Sequence, residues 1–172
     1  MAEEHIYRKF DEDLEDIRAN VIQMGAIIEE QIRNAIQSLE QIDPQLAQKV
    51  INRDEDVNDL ETLIEEECSL FIAKRAPQAK DLRNVLMMLR MSNDLERMGD
   101  ESSKIAEATI RINETSRITK PKIKSIKKIA DLVLVMLKKS LDAFGRLDTT
   151  EVVEILEEDK EVDEEYHSHM RE

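Results

Sequence analysis

The sequence predicts an all-α fold, and three observations carry that prediction. Three Gly and three Pro in 172 residues leave too few turn residues for a β-rich chain. Charged residues make up 37% and apolar ones 41%, the balance of helices with one buried stripe and one solvated face. Apolar residues recur with a helical period: Leu14, Val21, Ile28, Ala35 and Ile42 form one seam, and Phe10, Ile17 and Met24 the alternate one.

The prolines punctuate the helices. Pro44, Pro77 and Pro121 each follow a break in the apolar pattern, and Pro is tolerated at the first position of a helix. Asp43 is a good N-cap for the helix opened by Pro44. Asp148 with Glu151 reads as a capping box and marks a further start without a proline. Five helices result, at roughly 5–42, 44–75, 78–114, 120–146 and 149 to the end. The third repeats through Met91, Met98, Ile105 and Ile112. Short breaks make successive helices antiparallel. Their stripes are wider than a two-stranded seam needs: Ile32, Ile36 and Leu39 widen the first, Leu82, Val85, Leu86 and Leu89 the third. Each such face takes at least two neighbours to bury, which points to three-helix units.

A gapless shift of 105 residues superposes two segments. Asp43 falls on Asp148, Asp54 on Asp159, Val57 on Val162 and Asn58 on Asp163. Upstream, Ile28, Ile32, Ile36, Leu39 and Ile42 fall on Val133, Leu137, Leu141, Phe144 and Leu147. The expected architecture is two tandem antiparallel three-helix bundles, one over residues 1–116 and a second over 117–172. The second contains only two helices; a third has been cut from the chain or comes from another chain.

Composition also bounds function. The net charge of −14 argues against a nucleic-acid binder and suits divalent cations or a basic protein surface. A single Cys, Cys68, excludes a disulfide framework, fits a reducing compartment and sits at an apolar-periodic core position. No apolar run approaches about 20 residues, and the first ten residues are mixed and charged, so a cytoplasmic chain is expected, peripheral to a membrane at most.

The chemistry-bearing constellation is acidic. Asp54, Asn58 and Glu61 share one face of the second helix, and Glu96 and Asp100 share one face of the third. The two patches lie at similar distances from the turn near Pro77, so antiparallel helices bring them to similar height. Like charges so placed repel unless a cation sits between them. Oxygen donors suit Mg²⁺, Ca²⁺ or Mn²⁺, and carboxylates also hold iron. The pair recurs as Asp159 and Asp163. The competing reading is an ordinary solvated face in a chain with 39 acidic residues. Gly99, inside the third helix, allows close approach of a backbone or an ion, or simply tight packing. Glu164 and His167 make one E-x-x-H; a carboxylate-bridged di-iron centre needs two. His5 and His169 lie near the ends. No phosphate loop or nucleophilic triad is present. Lys120, Lys122, Lys124, Lys127 and Lys128 make a local basic run, either a solvated face or a contact for an acidic partner or membrane.

Ile72-Ala73-Lys74-Arg75-Ala76-Pro77, Asp81-Leu82-Arg83, Asp94-Leu95-Glu96-Arg97-Met98-Gly99-Asp100, Lys104-Ile105-Ala106 and Glu158-Asp159-Lys160-Glu161-Val162-Asp163 resemble the PhoU family of phosphate-uptake regulators over nearly the whole chain. The resemblance implies paired three-helix bundles with metal-binding E(D)-x-x-x-D motifs. Glu96 with Asp100, and Asp159 with Asp163, match that motif; Asp54 matches with Asn58 in place of the second acid. Iron, zinc, manganese or magnesium are the implied ions. The implied partners are the phosphate ABC transporter ATPase and a sensor histidine kinase, with phosphate-starvation signalling repressed. Homo-oligomerisation is left open. The alternatives are a metal-dependent carboxylate-bridged enzyme and a purely structural bundle.

Overall fold

The computed structural model describes residues 2–115 and 123–169, with side chains over 9–115 and 123–168. Five helices follow in order: α1 (Ala2–Gln41), α2 (Pro44–Arg75), α3 (Lys80–Glu114), α4 (Lys124–Arg146) and α5 (Val152–His169). There is no strand among the described residues. α1, α2 and α3 pack on one another; α4 packs on α1, and α5 on α4. One buried cluster joins Ile17, Val21, Met24 and Ile28 of α1 to Val57 and Ile64 of α2, Val85 and Leu95 of α3, and Leu137 and Phe144 of α4.

The first turn is as its residues dictate. Asp43 accepts hydrogen bonds from the Gln45 and Leu46 amides, with Pro44 opening α2. The two halves end their first helices alike. Ile42 and Leu147, superposed by the 105-residue shift, both take left-handed backbone at φ 54° and 53°. The amide of Asp43 reaches the Ser38 carbonyl and that of Asp148 the Ala143 carbonyl, each at 2.9 Å, closing equivalent C-terminal loops.

Three local expectations fail. α3 begins at Lys80, so Pro77 lies in the connection and not at a first helical position. Ala76 and Ala79, both at positive φ, carry the turn instead. Asp148 and Glu151 form no capping box: Asp148 accepts from the Thr150 amide at 3.0 Å, which folds it into a turn, and α5 starts only at Val152. Third, the buried seam of α3 is not Met91, Met98, Ile105 and Ile112, which are half-buried. It runs through Val85, Ser92, Gly99 and Ala106, with Met88, Leu95, Ser102 and Thr109 beside it. Small residues let α3 approach α1 and α2 closely. Their hydroxyls are satisfied within the helix, Ser92 on the Leu89 carbonyl, Ser102 on Met98 and Thr109 on Ile105. A reading by hydrophobicity passes over such a seam.

Ion pairs tie neighbouring helices together. Arg75, ending α2, forks onto Asp13 near the start of α1 at 2.6 and 3.1 Å. Lys127 of α4 meets Glu40 at 2.9 Å, while Lys128 and Lys139 meet Glu165 and Glu158 of α5 at 2.6 and 2.7 Å. Two lysines of the basic run are therefore used within the chain. Lys124 is exposed, and Lys120, Lys122 and Pro121 lie outside the described residues. Cys68 is fully buried, and burial pushes its thiol up to about 11.

A candidate cation-binding face

The second and third helices carry the acidic residues because each is apolar on its inner stripe and polar elsewhere. Val57 and Ile64 anchor α2, leaving Asp54 and Glu61 at the edge of its contact with α3. Leu95 and Gly99 do the same for Glu96 and Asp100 of α3. All four carboxylates are half-buried. The two patches meet, as the antiparallel arrangement requires. Glu96 is held above the usual carboxylate range by burial first and then by the charges of Asp100 and Asp54. Glu61 is raised likewise, by burial, then by Glu96, Glu65 and Asp100. Four acids on two helices thus share one field. Among the described residues no group of three or more His, Cys, Asp or Glu side chains is placed close enough to hold a metal ion by itself.

Beneath it lies a residue that sequence reading missed. Gln31 of α1 is 1% exposed. It continues the seam of Ile17 and Met24 at the next heptad step, where an apolar residue is expected. Its Nε2 donates to the Val50 carbonyl at 3.4 Å and to Asp54 Oδ1 at 3.5 Å, both long. Its Oε1 is buried and has no hydrogen-bond partner. Such an orphan costs about 1–3 kcal/mol. Gly99 faces it. A Cβ at position 99 would stand 3.1 Å from Ile28 Cδ1, 3.2 Å from Gln31 Oε1 and 3.3 Å from Asp54 Oδ1. The signal available in the sequence was the break of an apolar heptad by Gln. The donors fit a hard cation in kind: carboxylates around one neutral amide oxygen that lacks a partner.

The other expected site residues behave differently. Asn58 is exposed at the rim of the α2 face, and its carbonyl accepts from Thr62 Oγ1 at 3.0 Å. Asp159 and Asp163 are exposed on α5, which packs against α4 alone among the described residues, so no acidic helix stands opposite them. Glu164 and His167 are exposed too, and the His167 ring packs edge-on to Tyr166 with centroids 5.8 Å apart. The side chains of His5 and His169 lie outside those described. Away from the acidic face, α1, α3 and α4 border an apolar cleft of about 490 Å³, lined by Ile32, Ile36, Met98, Ile105, Ile129 and Val133. No helix among the described residues is long and apolar enough to cross a membrane.

Comparison with known proteins gives concordant results. The family model described as PhoU domain matches residues 21–109 and 126–172. The chain is 39% identical over 167 residues to the phosphate-specific transport system accessory protein PhoU of Escherichia coli (strain K12), covering 97% of this chain and 68% of that protein. It is 36% identical over 168 residues to the PhoU homolog of Pseudomonas putida, covering 98% of this chain and 65% of that one. It therefore spans about two thirds of the length of these relatives. Among solved structures it is similar to PhoU from Pseudomonas aeruginosa, with TM-score 0.89 and 36% identity over 94% of this chain and 77% of that one. The phosphate transport system regulatory protein PhoU from Streptococcus pneumoniae gives TM-score 0.82 at 28% identity, over 92% and 74%.

Proposed function

The chain belongs to the PhoU family, and on that premise we propose that it is a non-enzymatic regulator of phosphate uptake whose acidic face binds metal ions. The observation that carries the metal reading is the meeting of Asp54, Glu61, Glu96 and Asp100 across α2 and α3. Glu61 and Glu96 are raised first by burial and then by the charge of neighbouring carboxylates, so the face favours any species that neutralises it: protons in acid, a divalent cation near neutrality. Asp54 and Glu96, on neighbouring helices and near enough for the charge of one to act on the other, would hold iron, zinc, manganese or magnesium, with Asp100 and Glu61 adding charge. A bound ion would supply charge neutralisation and a link between the helices. Asp159 and Asp163 form a second candidate pair, and Asn58 an uncharged donor at the rim of the first.

In this reading the partners are the phosphate ABC transporter ATPase and a sensor histidine kinase, met in the cytoplasm, with starvation signalling damped while phosphate is plentiful. The support is identity of 36–39% to accessory proteins of phosphate-specific transport over 97–98% of the chain. The test of the adaptor role is binding of the purified chain to the transporter ATPase. Saturable association lost in an excess of untagged chain supports it; absence of binding by this chain and by a full-length relative alike rejects it. The test of the metal role is metal content by mass spectrometry, for the parent and for Glu96→Ala/Asp100→Ala. Metal near one equivalent in the parent and its loss in the variant is the expected result.

A second reading, a solvated face with no ion, is favoured by one observation: among the described residues no group of three or more His, Cys, Asp or Glu side chains is placed to hold a metal ion. A parent that stays metal-free after incubation with iron, zinc, manganese and magnesium would decide for it.

A further inference from the structure

We infer that Gln31 of α1 is the core-side ligand of the cation site, and that Gly99 is a glycine because a side chain there would block it. The inference rests on the metal reading above and adds to it a third helix and an uncharged donor. Asp54, Glu61, Glu96 and Asp100 all belong to α2 and α3. Gln31 comes from beneath, 1% exposed, at a seam position that Ile17 and Met24 fill with apolar side chains.

The orientation of its amide is forced by its neighbours. The Val50 carbonyl and Asp54 Oδ1, at 3.4 and 3.5 Å, are both acceptors, so the NH₂ must face them. Turning the amide over would set three acceptors against one another. Oε1 is thereby aimed at α3, where it has no partner. It meets there the notch of Gly99: Gln31 Oε1 and Asp54 Oδ1 lie 3.2 and 3.3 Å from the point a Cβ would occupy. A carboxylate oxygen and an unpartnered amide oxygen thus look toward one place between the three helices. A buried acceptor without a donor is a standing cost, and a cation or its bound water removes it. An all-oxygen set with one neutral member suits a hard divalent ion such as Mn²⁺. Because Gln31 is rooted in α1, occupation of the face becomes linked to the packing of all three helices.

The experiment is Mn²⁺ titration, by calorimetry and by the electron paramagnetic resonance of free Mn²⁺, on the whole chain and on Gln31→Met, Gln31→Glu and Gly99→Ala. Melting is followed with EDTA and with saturating Mn²⁺. Gln31→Met removes the orphan oxygen at nearly constant volume, so the metal-free protein should melt at the same temperature or higher. Its Mn²⁺ affinity should fall roughly 10- to 100-fold. Gln31→Glu restores an oxygen and should hold Mn²⁺ at least as well as the parent, with a lower metal-free melting temperature. Gly99→Ala removes no donor and should still weaken Mn²⁺. A residue that only packs would move metal-free stability and affinity in the same direction, and Glu would not rescue. If the parent binds Mn²⁺ and Gln31→Met binds it equally well, this inference is overturned and the carboxylate reading survives. If the parent itself binds none, both fall.

Discussion

Gly25 of α1 and Leu141 of α4 stand in direct contact: a Cβ on residue 25 would lie 2.5 Å from both terminal methyls of Leu141 and 3.1 Å from its Cγ. Three positions before Gly25 in sequence, Ile22 makes the companion contact, with its Cδ1 3.4 Å from the Cβ position of Gly145. The two helices that join the halves of the molecule thus meet glycine-first, and the absence of a side chain sets how near α4 can lie.

Filling that space should loosen α4. Gly25→Val is expected to cost about 1–3 kcal/mol in urea unfolding, the range for overpacking, despite the better helix propensity of Val. Leu141→Ala in the same chain should return part of the loss. Strict additivity of the two substitutions would mean that Leu141 is not what Gly25 accommodates.

Leu147 offers the opposite effect. It ends α4 in left-handed backbone at φ 53° and is 61% exposed, so its side chain gives up conformational ease for little burial. Leu147→Gly should raise stability by roughly 0.5–1 kcal/mol, the usual gain at such a cap. Ile42, its counterpart at φ 54°, is half-buried and should gain less from the same change. Equal gains at the two sites in thermal melts would contradict the burial difference.

The acidic face makes a pH prediction whose sign follows from its raised carboxylates. Glu61 and Glu96 lie above their ordinary 4.5 in the folded chain. Between 4.5 and those raised values the folded chain binds more protons than the unfolded one, so their contribution to stability falls as pH rises through that window. In EDTA at pH 7, Glu96→Gln should therefore be more stable than the parent. The advantage should shrink on acidification and vanish once pH falls below 4.5. A difference independent of pH would show that Glu96 is not the titrating group. Burial, then Asp100 and Asp54, hold Glu96 up, with Arg97 and Lys104 opposing.

α5 should be the first element to open. None of its residues with a described side chain is buried, and it leans on α4 through Lys128 and Lys139 and their glutamates. Lys128 and Glu154 are exposed while Lys139 and Glu158 are half-buried, and pairs so open to solvent are screened by salt. Native-state hydrogen exchange should find the amides of 155–165 the least protected of the helical interiors, and less so at 0.5 M salt than at low salt. Protection equal to that of α2 would overturn this.

Much of this molecule was legible before any coordinates. Asp43-Pro44 starts a helix because the cap, the proline and the amides they serve lie within four residues, and such signals need no distant partner. Cys68, Ile17 and Met24 are buried as their heptad positions imply, and the 105-residue shift anticipates that Ile42 and Leu147 turn the chain the same way. Where a local signal had a local competitor, it misled: Asp148 bonds Thr150 and caps nothing. The tertiary structure alone decided the rest. It chose the seam of α3 by closeness of backbones, which favours Ser92, Gly99 and Ala106 over Met91 and Met98. It set Gln31 under Asp54, spent Lys127 and Lys128 on glutamates of α1 and α5, and placed Leu141 over Gly25. Period and capping are properties of one helix. Depth, angle and distance between helices depend on the volumes of side chains far apart in sequence, and they determine which oxygens come to face one another.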